Sequence, residues 1–379
     1  MKCCPYFSVR ELRSTAQLVI CPYNYLVDPK IRKSMEINLK NQIVVLDEAH
    51  NIEDSARDAV SGSFNIDDIA IAMQECEKMV GFQILEQVHS GLADFCSRLA
   101  NWMQKCVDSK PDYSDFNSSS RVWTGTSGIA EWNEMVFAPS NYTAVKSMLE
   151  DALKEQAAAT EEQEAGEENT RILSKKATDV LDGIFMLLEY MNTRESMYRD
   201  DYRMAVVRSQ ARKKGGAGKG WMGKGENALV NVINLHFWCL NPAVCFNELK
   251  DVCRSIVLTS GTLSPIVTFA SELDVKFPIT LEADHVIDRK QVWVGTLSHG
   301  PTGHNLNATY RNTETLTFQD EIGKLVESMC RNIPHGILVF LPSYKMLDNM
   351  VNRWQATGTW AGILEKKTIV QEPRYSTLY

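Results

Sequence analysis

The sequence predicts an α/β protein in which mostly parallel sheets with flanking helices occupy the two ends of the chain and a mainly helical insertion separates them. Three observations carry this. Short apolar runs bounded by polar or turn residues occur at Leu18 to Cys21, Ile43 to Leu46, Ser255 to Leu258 and Ile337 to Leu341, the pattern of strands buried on both faces of a sheet. Helical patterns at Glu11 to Gln17, Pro29 to Leu39, Phe318 to Ile333 and Ser343 to Trp354 alternate with those runs, as a parallel sheet with crossover helices requires. From about Asp67 to Tyr202 the apolar residues recur instead at helical spacing, as in Ile69, Met73, Cys76 and Val80, or Ile184, Leu187, Leu188 and Met191.

Composition bounds the function classes. With 379 residues, 44% apolar, 23% charged and a formal net charge of -8, the chain is neither disordered nor fibrous, and its length predicts two or three domains. No apolar stretch approaches the roughly 18 residues of a membrane span, and the first ten residues do not read as a secretory signal, so cytosol or nucleus is expected. Ten cysteines are scattered without a C-x-x-C pair, which argues against a disulfide framework or a zinc knuckle. The acidic balance argues against a protein that coats nucleic acid non-specifically but permits a locally basic groove.

Within the insertion, Lys154 to Glu168 (KEQAAATEEQEAGEE) is acidic and of low complexity, and Ser109 to Ser120 is rich in Ser and Asp; both read as exposed loops. Arg208 to Gly225 (RSQARKKGGAGKGWMGKG) is basic and Gly-rich. It reads as a solvated loop, with a nucleic-acid contact as the alternative.

The first chemistry-bearing string is Asp47-Glu48-Ala49-His50, directly after the run Ile43 to Leu46. Two adjacent carboxylates thus fall at the carboxyl end of a strand, where open α/β sheets bind ligands. Nucleotide hydrolysis needs one carboxylate to hold Mg²⁺ and another to orient and deprotonate the attacking water; Asp47 and Glu48 fit those roles in that order. Alternation along an extended chain would point them to different sides. The competing reading is a helix first turn, which acids favour for dipole reasons alone.

The second string, Thr259-Ser260-Gly261-Thr262-Leu263-Ser264-Pro265, follows the run Ser255 to Leu258. Hydroxyls and a flexible Gly at another strand end can bridge His50 or phosphates. The alternative is a helix cap with Ser264 before Pro265 at the first helical position.

With these strings in view, the chain resembles the iron-sulfur superfamily 2 DNA helicases of the xeroderma pigmentosum group D type. The resemblance rests on Cys4-Pro5-Tyr6-Phe7, on Cys21-Pro22-Tyr23-Asn24-Tyr25-Leu26, on Val44 to Glu53 (VVLDEAHNIE) and on TSGTLSP. Four further strings, Phe237 to Phe246, Gln291 to Thr296, Asn312 to Asp320 and Gly336 to Tyr344, resemble one branch of that family more than its telomere-maintenance and cohesion-linked branches.

The resemblance implies incomplete RecA-like P-loop NTPase motor domains with an Arch-like insertion. Residues 1–66 would be part of the first motor domain with the end of the iron-sulfur region, 67–229 the Arch-like insertion, 230–268 the return to the first motor domain, and 269–379 the start of a truncated second one. It implies ATP-dependent 5′-to-3′ DNA unwinding in nuclear DNA repair, with single-stranded and forked duplex DNA and repair proteins as partners. ATP, Mg²⁺ and a 4Fe-4S cluster would be the cofactors, with Asp47 on Mg²⁺ and Cys4 as one cluster ligand. His50 with Thr259, Ser260, Gly261 and Thr262 would couple phosphate release to strand movement. Tyr23, Asn24 and Tyr25 would lie beside the translocating strand, with core packing of the tyrosines equally open.

The departures are as informative. The chain's Gly-Lys dipeptides, at Gly218, Gly223 and Gly323, are not followed by Ser or Thr, so none supplies a Walker A loop with its Mg²⁺-ligating hydroxyl. No Gly-Arg dipeptide is present to supply the family's arginine segment. The expectation is therefore a central piece of a longer helicase, inactive as an ATPase alone. A non-catalytic DNA- or protein-binding module is the competing class.

Overall fold

The computed structural model describes residues 4–114, 118–161, 172–192, 197–212, 229–283 and 286–372, and the chain divides into two compact units, residues 1–282 and 283–379. The loops expected at 154–168 and 208–225 are corrected where they are described: 154–161 continue a helix that ends at Glu161 and 208–212 end a strand, while 162–168 and 213–225 lie outside the described residues.

In the first unit, helices α1 (Pro5–Arg13), α2 (Asn24–Val27) and α3 (Pro29–Ser34) lead into strand β1 (Ile43–Asp47). α3 starts where Asp28 accepts hydrogen bonds from the amides of Lys30 and Ile31 ahead of the ready-made first turn at Pro29. It stops well short of the predicted Leu39. Glu36 enters the left-handed region (φ 54°), the Ile37 amide bonds the Arg32 carbonyl and the Glu36 amide bonds that of Lys33, which closes the helix as a Schellman turn. α1 likewise occupies Pro5–Arg13 rather than Glu11 to Gln17, because Pro5 fixes its start.

The predicted strand at Leu18 to Cys21 does not form. Its peptide groups have no ladder partner among the described residues, and Leu18 and Ile20 are 77% and 89% exposed.

After β1 come α4 (Ile52–Ala59), β2 (Gly62–Asn65), α5 (Ile66–Gly81), α6 (Glu86–Asp108), β3 (Tyr113–Ser114) and β4 (Ser118–Thr124). Then follow α7 (Gly125–Met135), α8 (Tyr142–Glu161), α9 (Lys175–Asn192), β5 (Tyr202–Arg212), β6 (Leu229–Cys239), α10 (Ala243–Val252), β7 (Ser255–Thr259) and α11 (Ile266–Glu272). β1 and β7, more than two hundred residues apart in sequence, pair in parallel with Ile43 opposite Ser255 and Asp47 opposite Thr259. Their sheet is covered on one side only, contrary to expectation: Val44 and Leu46 are buried, whereas Ile43 and Val45 are 63% and 59% exposed.

The long excursion between these two strands is where the structure departs most from the sequence reading. Helices are present as predicted, and Ile184, Leu187, Leu188 and Met191 are all buried along α9. Beside them, however, stands a five-stranded antiparallel sheet in the order β2-β6-β5-β4-β3. Its inner face reads in period two: Met204 and Val206 on β5, then Ile233, Leu235, Phe237 and Cys239 on β6, all buried. The expected return to the motor sheet at Val230 is therefore corrected, because β6 pairs with β5 and β2 through Cys239. Ser118 to Ser120, expected in a loop, opens β4, with Ser119 buried.

The insertion core is aromatic. Trp132 packs edge-on against Trp102, Phe237 and Phe137 at 5.5, 5.7 and 6.0 Å between ring centres, and the Glu131 carboxylate accepts from the indoles of Trp102 and Trp123 at 2.8 and 2.7 Å. A polar clip joins the insertion to the segments flanking it. Glu248 on α10 accepts from Tyr190 of α9 and from Arg32 of α3, both at 2.7 Å, and Arg32 also donates to the Leu26 carbonyl.

His89 on α6 is 4% exposed and its Nδ1 makes no hydrogen bond among the described residues. Burial depresses its pKa below the ordinary histidine value. The unfolded chain therefore takes up a proton near pH 6.5 that the folded chain refuses, and stability falls as pH drops below that point. His89→Leu is expected to remove this acid sensitivity and, by deleting an unsatisfied buried polar atom, to add about 1 kcal/mol. Urea unfolding of both chains at pH 5 and pH 8 checks it: equal stability losses on acidification would refute the assignment.

The second unit contains α12 (Tyr310–Thr313), α13 (Leu316–Asn332), α14 (Tyr344–Thr357) and α15 (Thr359–Leu364) around Phe318, Cys330, Met350, Trp354 and Ile363. Arg353 makes a two-pronged bond to Asp320 at 2.7 Å on each prong. The predicted strand Ile337 to Leu341 does not form: it has no ladder partner among the described residues, and Leu338 and Phe340 are 84% and 87% exposed. The predicted boundary after residue 268 also moves. Phe269 and Leu273 are buried in the core of the first unit, which holds residues up to 282 there.

Candidate active site

Strand pairing assembles the site. Leu46 (1% exposed) anchors the end of β1 and Ala49 and Ile52, both fully buried, pin the turn and helix that follow, so the polar residues between them are held at the strand tip. Asp47 is the last residue of β1, which disposes of the helix-first-turn alternative for it. Glu48 leaves the strand in the left-handed region (φ 52°, ψ 43°), a conformation that costs a residue with a Cβ about 1–2 kcal/mol. The expected alternation of Asp47 and Glu48 along an extended chain is thus broken by a sharp turn.

That turn brings Glu48 and His50 onto the loop after β7. Ser260 Oγ lies 2.9 Å from His50 Nδ1 and 3.1 Å from Glu48 Oε2, and His50 Nδ1 is 3.3 Å from the same carboxylate oxygen. The Thr262 amide donates to Ser260 Oγ at 3.3 Å, and the two hydroxyls are 3.4 Å apart. Thr259 stands opposite Asp47 at the sheet end.

Asn51, which sequence reasoning missed, sits 2.9 Å from His50 Nε2 through its Nδ2. An amide nitrogen only donates, so Nε2 accepts and a neutral His50 carries its proton on Nδ1. Nδ1 then donates to Ser260, whose own proton goes to Glu48. The four side chains form one directed chain of hydrogen bonds, Asn51 to His50 to Ser260 to Glu48. Adjacency to DEAH was the only sequence signal for Asn51.

The site is open: the Glu48 and His50 side chains are 66% and 38% exposed. A concave recess of the first unit lies elsewhere, lined by Asp200, Asp201, Leu240, Asn241, Ser271 and Glu272. Gly261 has no positive φ, and a Cβ there would meet nothing within 4 Å, so its expected backbone freedom is not used. The expected Ser264 cap is also replaced, since α11 begins at Ile266 after Pro265 without a side-chain cap.

The remaining candidates are not brought to this cluster. Tyr23 is half-buried against the hydrophobic core, Tyr25 is half-buried and Asn24 is exposed at the start of α2, and no hydrogen bond among the described residues joins them to the acids. Cys4 is exposed at the start of α1. Among the described residues no three His, Cys, Asp or Glu side chains converge as a metal site. Cys76, Cys96, Cys106, Cys239 and Cys245 are buried thiols whose pKa is pushed up by desolvation, the opposite of what a thiolate ligand requires. The described residues therefore do not fit a 4Fe-4S cluster beyond the single thiol of Cys4.

The DEAD_2 family model matches residues 1–69, which include the Asp47–His50 string. The chain is 42% identical to a Fanconi anemia group J protein homolog of Gallus gallus over 99% of its own length and 30% of that protein. It is 30% identical to regulator of telomere elongation helicase 1 homologs of Drosophila willistoni and Drosophila erecta, again over 99% of the chain, covering 39% and 40% of those proteins. The chain thus spans between 30% and 40% of the length of these relatives. A solved XPD helicase structure superposes with a TM-score of 0.39 at 14% identity, covering 96% of this chain and 54% of that one.

Proposed function

We propose that this chain, which belongs to the superfamily 2 helicases of the xeroderma pigmentosum group D type and is related to group J helicases, supplies the hydrolytic acids and the strand-coupling loop of an ATP-dependent 5′-to-3′ DNA helicase acting in nuclear DNA repair and genome maintenance. Residues 1–66 and the return through β7 and α11 belong to its first RecA-like motor domain, the intervening sheet and helices to an Arch-like insertion, and the second unit to the start of the second motor domain. Single-stranded and forked DNA are its substrates and repair proteins its partners.

The observation that carries the reading is the register of β1 and β7. It sets Asp47 beside Thr259 and closes Ser260 onto Glu48 and His50. Mg²⁺, when bound with ATP, supplies charge neutralisation at the phosphates, and Asp47 is the carboxylate placed to hold it through water. Glu48 accepts the Ser260 proton on Oε2, and among the described contacts Oε1 takes no hydrogen bond, so that oxygen is available to orient and deprotonate a water. His50 and Ser260 make the base sensitive to the loop after β7: any movement of that loop on loss of phosphate breaks the bonds that hold Glu48. Tyr23, Asn24 and Tyr25 are the proposed DNA contacts of the motor portion. No step is assigned to an iron-sulfur cluster.

These 379 residues contain neither a Gly-Lys-Ser/Thr loop nor a Gly-Arg segment. The purified chain is therefore expected to bind single-stranded DNA but to hydrolyse ATP no faster than a blank. Turnover stimulated by single-stranded DNA and abolished by Glu48→Gln would refute this division of labour.

A further inference from the structure

Asn51 stands immediately before α4, at the position where an asparagine ordinarily turns its side chain back to accept from the first free amides of the helix. It does not do so. Its backbone (φ -95°, ψ 1°) lies outside the extended region usual for that role, and no side-chain cap bond forms. Glu53 and Asp54 in the first turn supply the negative charge that a helix start favours. The Asn51 amide turns to the His50 ring instead, with Nδ2 2.9 Å from Nε2. A helix cap therefore does not account for this residue.

What Asn51 does account for is the place of a proton. A free neutral imidazole prefers its proton on Nε2, and the surroundings of His50 favour the opposite tautomer from both sides of the ring. Nε2 faces the Asn51 donor. Nδ1 lies 2.9 Å from Ser260 Oγ and 3.3 Å from Glu48 Oε2, where a bare nitrogen would oppose the lone pairs of a carboxylate. With the proton on Nδ1, Ser260 Oγ accepts it together with the Thr262 amide at 3.3 Å, so both its lone pairs are engaged and its own proton is left for Glu48 at 3.1 Å. With the proton on Nε2 the order inverts. Ser260 then donates to the nearer His50 nitrogen, and Glu48 loses its bond and meets a bare nitrogen at 3.3 Å.

We propose that Asn51 is a positioning residue: by fixing the His50 proton on Nδ1 it turns the Ser260 hydroxyl toward Glu48 and so holds that carboxylate in place. Its effect on turnover rests on the hydrolytic reading above, whereas the placement of the proton does not.

The test is nitrogen-15 NMR of the full chain labelled at its 7 histidines, at about pH 8, where an ordinary imidazole is neutral. The His50 signals are assigned by their loss in His50→Gln. The parent is expected to show Nδ1 protonated and Nε2 bare. Asn51→Asp keeps the side chain's shape and suits a helix start equally well, but it offers Nε2 only acceptors, so Nε2 should gain a proton. Glu48→Gln should leave the proton on Nδ1, because Asn51 and not the carboxylate sets the tautomer. A parent with its proton on Nε2, an Asn51→Asp chain whose Nε2 stays bare, or a Glu48→Gln chain that changes tautomer would each overturn the proposal. Turnover is read in a chimera in which this chain replaces the matching part of the Gallus gallus group J protein homolog. There Asn51→Asp is expected to lower kcat about tenfold, the worth of one hydrogen bond to a charged group, with the KM for ATP unchanged; an unchanged kcat would overturn the positioning role. A chimera without Glu48-dependent turnover would sink the hydrolytic reading alone, since the ring nitrogens still decide where Asn51 puts the proton.

Discussion

Replacing Gly125 by alanine is expected to destabilise the first unit by about 3 kcal/mol or more, the upper range for an added methyl group with nowhere to go. Gly125 is buried at the first position of α7. A Cβ there would overlap the carbonyl oxygen of Arg199 and stand 2.9 Å from the carbonyl carbon. Both are backbone atoms, so no side-chain rotation relieves the clash. The two segments are also tied together beside the glycine, where Thr126 donates to Asp200 at 2.6 Å and Thr124 caps α7 through the Ser127 amide. Relief would require α7 to lift from the 199–201 turn, carrying Trp132 away from Phe237. Gly81, where a Cβ meets nothing within 4 Å, is the internal control. Gly81→Ala is expected to leave stability unchanged or raise it by about 0.5–1 kcal/mol through reduced chain entropy. Urea unfolding of the three chains separates the cases, and equal midpoints for Gly125→Ala and the parent would contradict the packing described.

The sequence makes some of this architecture legible and hides the rest for identifiable reasons. Four apolar runs of similar composition read alike, yet only Ile43 to Leu46 and Ser255 to Leu258 are strands. A strand exists through its neighbour's hydrogen bonds, and neither Leu18 to Cys21 nor Ile337 to Leu341 has a ladder among the described residues. The helices α9, α13 and α14 were readable because a buried stripe at helical spacing needs no distant partner. The insertion sheet is hidden although β6 alternates Ile233, Leu235 and Phe237 with Asn234, His236 and Trp238, because β6 reads as the resumption of the motor sheet near Val230 while its partners β2 and β5 border the helical stretch from about Asp67 to Tyr202. β4 opens on three serines, which carry little strand signal until Ser119 is seen to be buried.

At the site, the residue types were legible and the geometry was not. Asp47, Glu48 and the Thr259 to Thr262 hydroxyls stood out as strings, and the contact between Ser260 and His50 was within what that reading allowed. The left-handed turn at Glu48 has no sequence mark, since nothing about a glutamate announces a positive φ. The Asn51 bond that sets the His50 proton is equally silent, because it depends on how the turn after β1 folds back.

We propose that Asp47 and Glu48, held at the tip of β1 by the loop after β7, are the working acids of an ATP-driven DNA motor. Asp47 and Glu48 differ in what a substitution removes. Glu48→Gln keeps the side chain's size and can still bond Ser260, but it loses the carboxylate oxygen proposed to take a proton from water. Loss of a positioned general base lowers turnover by about 10²- to 10⁴-fold. Because the relatives are longer, the measurement uses a chimera in which this chain replaces the matching 30% of the Gallus gallus group J protein homolog. ATP turnover is then followed with and without single-stranded DNA. The expected result is DNA-stimulated turnover in the chimera and a loss of at least about 100-fold on Glu48→Gln, with DNA binding retained. Turnover that survives Glu48→Gln would contradict it.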